Sequence, residues 1–236
     1  EKAWYLSHEG RPGPVLVDVP DDIQRQDAEL IRMRHFMPAA SGNWMDALDL
    51  GARVMDVLYD IRQAKRPVLV YGWGVHLAKA EEDAERLAHE LKIPVLTTWA
   101  ARDVMPSDPL NFGAFGTHGT RAANFVVQNA DLLLTVGTRL DTKATGTPKE
   151  YFARGAKIIM VDIDRHEIDK FKARVEGIQA DAKEFLDMAS RAAMVSKFPD
   201  FRLWVSRCKS WHTRYPQVTQ SDKLEARVNP YYFMQI

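Results

Sequence analysis

Short continuous runs of apolar residues alternate along this sequence with longer stretches whose apolar positions recur at helical spacing. The runs are predicted strands, at 14–20 (PVLVDVP), 67–74 (PVLVYGWG), 94–99 (PVLTTW), 131–137 (DLLLTVG) and 157–164 (KIIMVDID). Because they are rich in Val, Ile and Leu without an alternating polar face, we expect strands that are buried on both sides of a sheet.

Helices are predicted between these runs, at about 45–64, 77–91, 120–128 and 181–191. Strands that alternate with helices indicate an α/β fold with a mainly parallel, doubly wound sheet and helices on both faces. A ligand of such a sheet binds beyond the carboxyl ends of the strands, so the residues that follow each run are the candidates for a site.

The carboxy-terminal part of the chain carries a different pattern. Trp204, Cys208, Trp211 and Tyr215 fall at helical spacing and are interpreted as a packing stripe. The polar segment 216–228 is a predicted linker, after which Asn229-Pro230 is a typical helix start. Because the chain lacks an initial Met and stops just inside this helix start, we interpret it as a piece of a longer protein.

Composition excludes several classes of function. The 236 residues are 46% hydrophobic, which suits a globular core, and 32 basic side chains balance 32 acidic ones. A zero net charge gives no electrostatic footprint for nucleic acid or an anionic membrane, and no apolar run is long enough to span a bilayer. A single cysteine excludes an internal disulfide and a Cys-rich zinc site, so we expect a reducing, cytoplasmic setting.

The turn Gly72-Trp73-Gly74 follows one predicted strand and precedes a helical pattern, as in a nucleotide-binding turn. Leu77 stands where a third glycine belongs in GxGxxG, and the next strand ends in Thr97-Thr98, without the acid that holds the ribose of NAD. The sequence therefore disfavours a standard NAD site, and an ordinary tight turn remains an alternative.

Two other strand ends carry charged side chains. GTRLDTK after the run at 131–137 offers Arg139 for a phosphate and Asp141 for hydroxyl groups or for orienting Arg139. The run at 157–164 ends in Asp162 and Asp164, of which one is a candidate for ribose hydroxyls and the other for a helix cap. Plain surface charge is the alternative interpretation of the first group.

The stretch GTHGTRAAN places His118 between two glycines, directly before a predicted helix. A metal site is disfavoured because no Cys or second His lies at a useful spacing, and a catalytic base is disfavoured because no carboxylate is positioned nearby. Gly116, Thr117 and Gly119 favour a backbone cradle for a ligand, with His118 as a hydrogen-bonding or stacking wall.

Together these stretches resemble the acetolactate synthase large subunit and related thiamine-diphosphate enzymes. GRPGPVLVDVPDDIQ resembles the end of their pyrimidine-binding domain, the two stretches GTHGTRAANFVVQNADLLLTVGTRLDTKATG and AKIIMVDIDRHEIDKF resemble their central domain, and NPYYFM resembles the start of their diphosphate-binding domain. The resemblance implies a domain remnant at 1–30, a linker at 31–44, a central domain at 45–192, a helix and linker at 193–228, and the next domain from 229 to 236.

The resemblance further implies a Rossmann-like, six-stranded parallel sheet that holds FAD. The implied FAD contacts are Arg11, Gly72, Gly74, Thr98, Trp99, Phe115, Gly116, Thr117, His118, Gly137, Arg139, Asp141, Lys143, Asp162, Ile163, Glu167 and Asp181. Trp73, Thr117 and Lys143 depart from the family pattern, and Lys lacks the fork that Arg offers an anion. ADP in place of FAD, or a decayed site in a non-catalytic scaffold module, are the alternatives that these departures leave open.

For the full-length enzyme the resemblance implies decarboxylation of a 2-keto acid and carbon–carbon bond formation. Thiamine diphosphate and Mg²⁺ would supply that chemistry from sites outside the residues given, so we expect this fragment to bind nucleotide but to catalyse nothing alone. The expected partners are the two flanking domains and further copies of the chain, in a homodimer or homotetramer. A related enzyme that acts on another keto acid or a sugar intermediate is the alternative.

Overall fold

A computed structural model describes residues 1–29, 33–38, 47–171, 174–224 and 227–233. The chain divides into two compact units, Glu1–Met45 and Asp46–Ile236. Most of the linker predicted at 31–44 lies outside the described residues, as do Met45, where a helix start was predicted, and the last three positions of the chain.

The first unit contains two short helices, α1 at Lys2–His8 and α2 at Asp21–Gln24. Glu1 binds the segment around His35 and Phe36, accepting the backbone N–H of Phe36 over 2.7 Å. The strand predicted at 14–20 is wrong: these residues form no strand, and Leu16 is 91% exposed. A strand is stabilised by a hydrogen-bonded neighbour, and none of the described residues of this unit is in a strand.

The second unit is built on a six-stranded sheet whose neighbouring strands are all parallel. Its strands are β1 at Pro67–Tyr71, β2 at Val95–Thr97, β3 at Asn111–Ala114, β4 at Leu132–Val136, β5 at Lys157–Asp162 and β6 at Glu176–Gln179. The order across the sheet is β3-β2-β1-β4-β5-β6. The predicted doubly wound α/β fold is thus confirmed, and the sequence analysis missed β3 and β6.

One helix of this unit precedes β1, and the others lie between the strands or beyond the last one. The helices are α3 at Ala47–Gln63, α4 at Gly74–Leu77, α5 at Glu81–Leu91, α6 at Arg121–Asn129, α7 at Thr142–Thr145, α8 at Arg165–Asp169, α9 at Ala182–Met194, α10 at Arg202–Arg214, α11 at Gln220–Lys223 and α12 at Pro230–Phe233. Two short 3₁₀ turns lie at Trp99–Ala101 and Lys149–Tyr151.

The helix predicted at 77–91 begins later than expected. The chain breaks between α4 and α5 because Lys79 adopts a left-handed conformation, with φ at 53°. A new helix then begins at Glu81 with three acidic residues in its first turn, where negative charge is favourable.

Helices cover both faces of the sheet. On one face α9 packs against α3 and α5, and on the other α6 and α10 pack together over side chains such as Val70 and Leu133. Trp204 and Cys208 are buried in this second layer, and the indole Nε1 of Trp204 donates to the carbonyl oxygen of Pro67 over 3.1 Å. The predicted packing stripe is therefore confirmed.

The carboxy-terminal segment is only partly the linker that was predicted. Residues 220–223 form α11, which begins in a capping box between Thr219 and Asp222. The predicted cap of α12 is confirmed, because Oδ1 of Asn229 accepts the N–H groups of Tyr231 and Tyr232. Across the described ranges, no helix is long and apolar enough to cross a membrane.

Candidate functional site

The strand order places a topological switch at the centre of the sheet, between β1 and β4. From these two strands the chain winds outward in opposite directions, to β3 on one side and to β6 on the other. Ligands of doubly wound sheets bind beyond the carboxyl ends of the strands at such a switch, which here are the ends of β1 and β4. Gly72 and Gly137, the residues that directly follow these two strands, are both among the predicted contacts.

The glycines at this switch hold two turns in direct backbone contact. A Cβ on Gly72 would lie 2.3 Å from the carbonyl oxygen of Gly137, and one on Gly74 would lie 2.6 Å from the Gly137 Cα. The N–H of Gly72 donates to Val136 O over 3.0 Å, and that of Gly74 donates to Gly137 O over 2.9 Å. These glycines therefore allow the turns to meet, and the two amides are already hydrogen-bonded inside the protein.

The GTHG loop that follows β3 is held in the same way. Gly116 has φ of +94° and donates its N–H to the side chain of Asn124 over 2.9 Å. The N–H groups of Thr117 and Gly119 donate to Lys143 O and Gly116 O over 2.8 and 3.1 Å. The amides of Gly116, Thr117 and Gly119 are thus already hydrogen-bonded within the protein, and the backbone cradle stays a prediction.

The side chains that this loop and its neighbours present are aromatic and cationic. Trp99, which is 56% exposed, lies 6.4 Å from the His118 ring between ring centroids. The Lys143 Nζ lies 5.8 Å from the centre of the Trp99 ring, within reach of a cation–π interaction. Phe115 is buried instead, stacked on Phe152 at 5.9 Å, so it supports the loop from below. Trp99, His118 and Lys143 thus form a cluster, which we call the aromatic wall, and its contact with a ligand stays a prediction.

The threonines that end β2 lie beside this wall. Thr98 donates its backbone N–H to the carbonyl oxygen of Tyr71 over 2.9 Å, which holds the turn after β2 against the end of β1. Thr97 is buried, and its Oγ1 has no hydrogen-bond partner among the described residues. Thr97 is closed off from solvent, so its side chain belongs to the core beneath the strand ends.

Beyond β4, the arginine and the aspartate of GTRLDTK have separate roles. Asp141 caps α7 by accepting the N–H groups of Lys143 and Ala144, each over 3.0 Å. Arg139 is 52% exposed on its side chain, and its nearest carboxylate is Glu167, at 4.0 Å. The carboxylate that lies near Arg139 in the structure is thus that of Glu167, and not that of Asp141. Glu167 is buried and also accepts a hydrogen bond from Lys170.

The structure shows which acidic residues after β5 and β6 cap a helix and which does not. Asp164 caps α8 by accepting the N–H of His166 over 2.9 Å, and Asp181 caps α9 through the N–H groups of Lys183 and Glu184. Asp162 is buried at the end of β5, where it accepts the N–H of Asp164 over 2.9 Å. Of the pair Asp162 and Asp164, the cap is thus Asp164, and Asp162 remains the candidate for hydroxyl groups.

Two further predicted contacts are Ile163 and Arg11. Ile163 is partly buried, and its carbonyl oxygen accepts from the side chain of Gln179 over 3.3 Å. Arg11 is exposed in the first unit of the chain. Both therefore remain predictions from the resemblance.

Sequence reasoning missed His76, which lies just behind the glycine turn. Its Nδ1 is 2.6 Å from a carboxylate oxygen of Glu81, and its Nε2 is 2.9 Å from one of Asp103. Burial lowers the pKa of His76, but the hydrogen bonds to Glu81 and Asp103 outweigh it, so the pKa lies above its ordinary value of 6.5. No motif contains these residues, since they are brought together only by the fold.

A second histidine with carboxylate neighbours lies at the opposite end of the sheet. Glu85, His89 and Asp108 place one ligand atom each within 4.8 Å of one another, and His89 Nε2 lies 2.8 Å from Asp108. The hydrogen-bonding contact between His89 and Asp108 accounts for the approach of these two side chains without a metal.

A surface cleft also lies at the opposite end of the sheet. It has a volume of about 560 Å³ and is lined by the end of α5 and by residues 196 and 198–202 at the amino end of the sheet. Its Asp200 and Arg202 pair with each other. We favour the carboxyl edge over this cleft, because parallel sheets bind ligands there and because exposed aromatic and cationic groups lie there.

The comparisons with known proteins agree on one family. The family described as "Thiamine pyrophosphate enzyme, central domain" matches residues 54–189. The chain is 36% identical over 209 residues to a probable acetolactate synthase large subunit of Methanocaldococcus jannaschii, covering 87% of this chain and 35% of the relative. It is 35% identical over 229 residues to the acetolactate synthase large subunit of Corynebacterium glutamicum, covering 92% and 34%.

A plant relative extends the match to the whole chain. Acetolactate synthase 1, chloroplastic, of Zea mays is 35% identical over 243 residues, covering 100% of this chain and 37% of the relative. The chain thus spans about a third of the length of the curated relatives that it matches.

Proposed function

Since the chain belongs to the thiamine pyrophosphate enzymes, in which it is the central domain, we propose that it binds FAD at the carboxyl edge of its sheet. The observation that carries the proposal is the aromatic wall beside the switch between β1 and β4. Exposed aromatic rings can stack on a flavin or adenine ring, and a nearby lysine favours the negative charge of a diphosphate.

The residues at the other strand ends fit the remaining parts of a dinucleotide. Arg139 is the exposed cation after β4 and would bind phosphate oxygens, with the buried carboxylate of Glu167 behind it. The carboxylate of Asp162 at the end of β5 would accept hydrogen bonds from ribose hydroxyls.

The hydrogen-bonded amides of the two glycine turns limit how a phosphate can bind. Gly72, Gly74, Gly116 and Thr117 would line the site through Cα and side-chain atoms, because their N–H groups already have acceptors in the protein. The diphosphate would then depend on Arg139 and Lys143 for its contacts. This gives the two cations a larger part in affinity than a phosphate loop of free amides would need.

For the full-length enzyme we propose the activity of an acetolactate synthase, because relatives over this region carry that name. Thiamine diphosphate, with Mg²⁺, would supply the decarboxylation and carboligation chemistry from the flanking domains. The present chain would contribute a structural cofactor site rather than a catalytic residue. Assembly into a homodimer or homotetramer is part of the same proposal.

The cytoplasmic setting expected from the composition is also kept as a proposal. Relatives from maize, rice and tobacco carry the word chloroplastic in their names, whereas those from Corynebacterium glutamicum and Escherichia coli do not. Localisation of a tagged full-length protein in its own organism would test it.

An absorption spectrum tests the cofactor directly. The purified chain is desalted and scanned in the flavin region, then titrated with FAD and, in parallel, with ADP. We expect flavin bands that survive desalting, or saturable binding of added FAD. Binding of ADP but not FAD would replace the flavin with the simpler nucleotide, and binding of neither would reject a nucleotide site in this chain.

A further inference from the structure

His76 connects the turn after β1 with the turn after β2. It lies in α4, directly after the glycine turn, and its side chain is only 16% exposed. One ring nitrogen faces Glu81, the first residue of α5, and the other faces Asp103, which follows the 3₁₀ turn Trp99–Ala101. A single ring, partly shielded from solvent, therefore bridges two segments that follow neighbouring strands.

Both connected segments carry an exposed tryptophan at the candidate site. Trp73 is 49% exposed, and its ring lies 4.7 Å from that of His76 between centroids. Trp99 belongs to the aromatic wall and stands four residues before Asp103. The contacts of His76 thus act on the segments that present both rings, while the histidine itself stays behind them.

The two contacts require a particular protonation state. A neutral imidazole has one N–H donor, so it can donate to only one of two carboxylates, whereas the imidazolium donates to both. The hydrogen bond from His76 also holds the pKa of Asp103 below its ordinary value. The charged groups that face the ring are Glu81 from α5 and Asp103 from the turn after β2, and Lys183 from α9 acts on Glu81.

We propose that His76 is a positioning residue, which through Glu81 and Asp103 holds the Trp73 and Trp99 turns in the arrangement that binds the nucleotide. The effect on nucleotide binding rests on the proposed function. The bridge from His76 to Glu81 and Asp103 is present in the chain without ligand. The proposal assigns a role to a side chain that does not touch the nucleotide.

The bridge depends on pH with a definite sign. The pKa of His76 in the folded chain is raised above its ordinary value of 6.5. The imidazolium and both hydrogen bonds are therefore present below pH 6.5, and they are lost as the pH rises through the folded pKa. Nucleotide affinity should therefore fall as the solution becomes more alkaline. Replacement of His76 by glutamine removes this titration while keeping a polar side chain of similar length.

The experiment measures the dissociation constant of FAD by flavin fluorescence between about pH 6 and pH 9. The proteins are the chain itself, H76Q and the control H89Q, in which a histidine that also pairs with a carboxylate is removed at the opposite end of the sheet. At the acid end we expect H76Q to bind about fivefold more weakly, with an affinity nearly independent of pH. H89Q should keep the wild-type profile, and an H76Q profile equal to wild type would overturn the proposal.

Amide hydrogen exchange without nucleotide separates this inference from the proposed function. In H76Q we expect faster exchange across residues 73–81 and 98–104 at about pH 6, and wild-type exchange in H89Q. If no protein binds FAD or ADP, the proposed function fails and the exchange data still test the bridge. Unchanged exchange in H76Q would show that His76 does not hold these segments.

Discussion

Gly74 donates its backbone N–H to the carbonyl oxygen of Gly137 over 2.9 Å, and a Cβ on Gly137 would lie 2.7 Å from the Gly74 Cα. The turns after β1 and β4 therefore touch through their backbones. Gly137 also has φ of +64°, a conformation that residues with a side chain rarely adopt. Gly74 and Gly137 are thus required at the centre of the candidate site because a side chain at either position would prevent the close approach of the two turns.

Replacement of Gly137 by alanine should strongly destabilise the chain. The new Cβ would overlap the backbone at Gly74 and Val75 while residue 137 is held at positive φ, so we expect a loss of roughly 3 kcal/mol in the free energy of unfolding. Urea denaturation followed by circular dichroism measures this loss.

Gly113→Ala is the matched control for the glycine experiment. Gly113 also has positive φ, at +87°, but a Cβ there would meet nothing within 4 Å. We expect a loss of about 1 kcal/mol, the effect of backbone conformation alone. Equal losses at the two positions would contradict the claim that the two turns require close backbone contact.

The central part of the fold could be predicted because its strands are buried on both faces, which leaves continuous apolar runs. β3 and β6 were missed because NFGA and EGIQ contain glycine and few large apolar side chains, as suits strands at the two edges of the sheet. The strand at 14–20 was predicted from the same apolar signal, which does not report whether a neighbouring strand is present.

The sequence could predict only those candidate site residues that lie at or near the end of an apolar run. Arg139 and Asp162 could be found because each closely follows an apolar run. The caps at Asp141, Asp164 and Asp181 are seen only in the folded chain, since an aspartate before a helix suits both a cap and a ligand contact. The ligand contacts of Asp141 and Asp181 stay predictions. His76 could not be found, because its partners Glu81 and Asp103 are brought to it by the packing of separate turns.

Replacement of Arg139 by alanine should weaken nucleotide binding with little effect on stability. The side chain is half exposed and 4.0 Å from Glu167, so it contributes little to the core. Loss of a cation that contacts phosphate should raise the dissociation constant of FAD or ADP about tenfold or more.

Arg191→Ala is the control for this substitution, because Arg191 is an exposed arginine of α9 that pairs with Asp187. Isothermal titration and thermal unfolding are measured on both variants. We expect Arg191→Ala to bind as wild type. If Arg139→Ala lowers the melting temperature while the dissociation constant stays unchanged, Arg139 is a structural residue and not a nucleotide contact.

Cys208 should be inert to thiol reagents in the native protein. It is fully buried in the layer that contains Trp204, and burial raises the pKa of its thiol to about 12. The thiolate, which is the reactive form, is therefore scarce near neutral pH. We expect Ellman's reagent to label no thiol in the folded chain and one thiol per chain in guanidinium. Rapid labelling of the folded chain would show that α10 detaches readily from the sheet.

An ion-pair network at the amino ends of β5 and β6 should make stability depend on acid pH. Lys157 lies 2.6 Å from Asp60 and 2.8 Å from Glu176, which also pairs with Arg53. The hydrogen bond from Lys157, followed by that from Arg53, holds the pKa of Glu176 below its ordinary value of 4.5. Its contribution is therefore present above about pH 4.5 and is lost as the pH falls through the lower folded pKa.

Replacement of Glu176 by glutamine should remove that part of the pH dependence. We expect a loss of about 1 kcal/mol in the free energy of unfolding near neutral pH, because the network is partly exposed, and a smaller difference from wild type in acid. The matched control is Glu150→Gln, at an exposed glutamate of the 3₁₀ turn after α7, which should unfold as wild type at each pH. The measurement is the free energy of unfolding by denaturant from about pH 3 to pH 7. If its pH dependence is the same for Glu176→Gln and wild type, the Glu176 carboxylate has the same pKa in the folded and unfolded chain and the prediction is wrong.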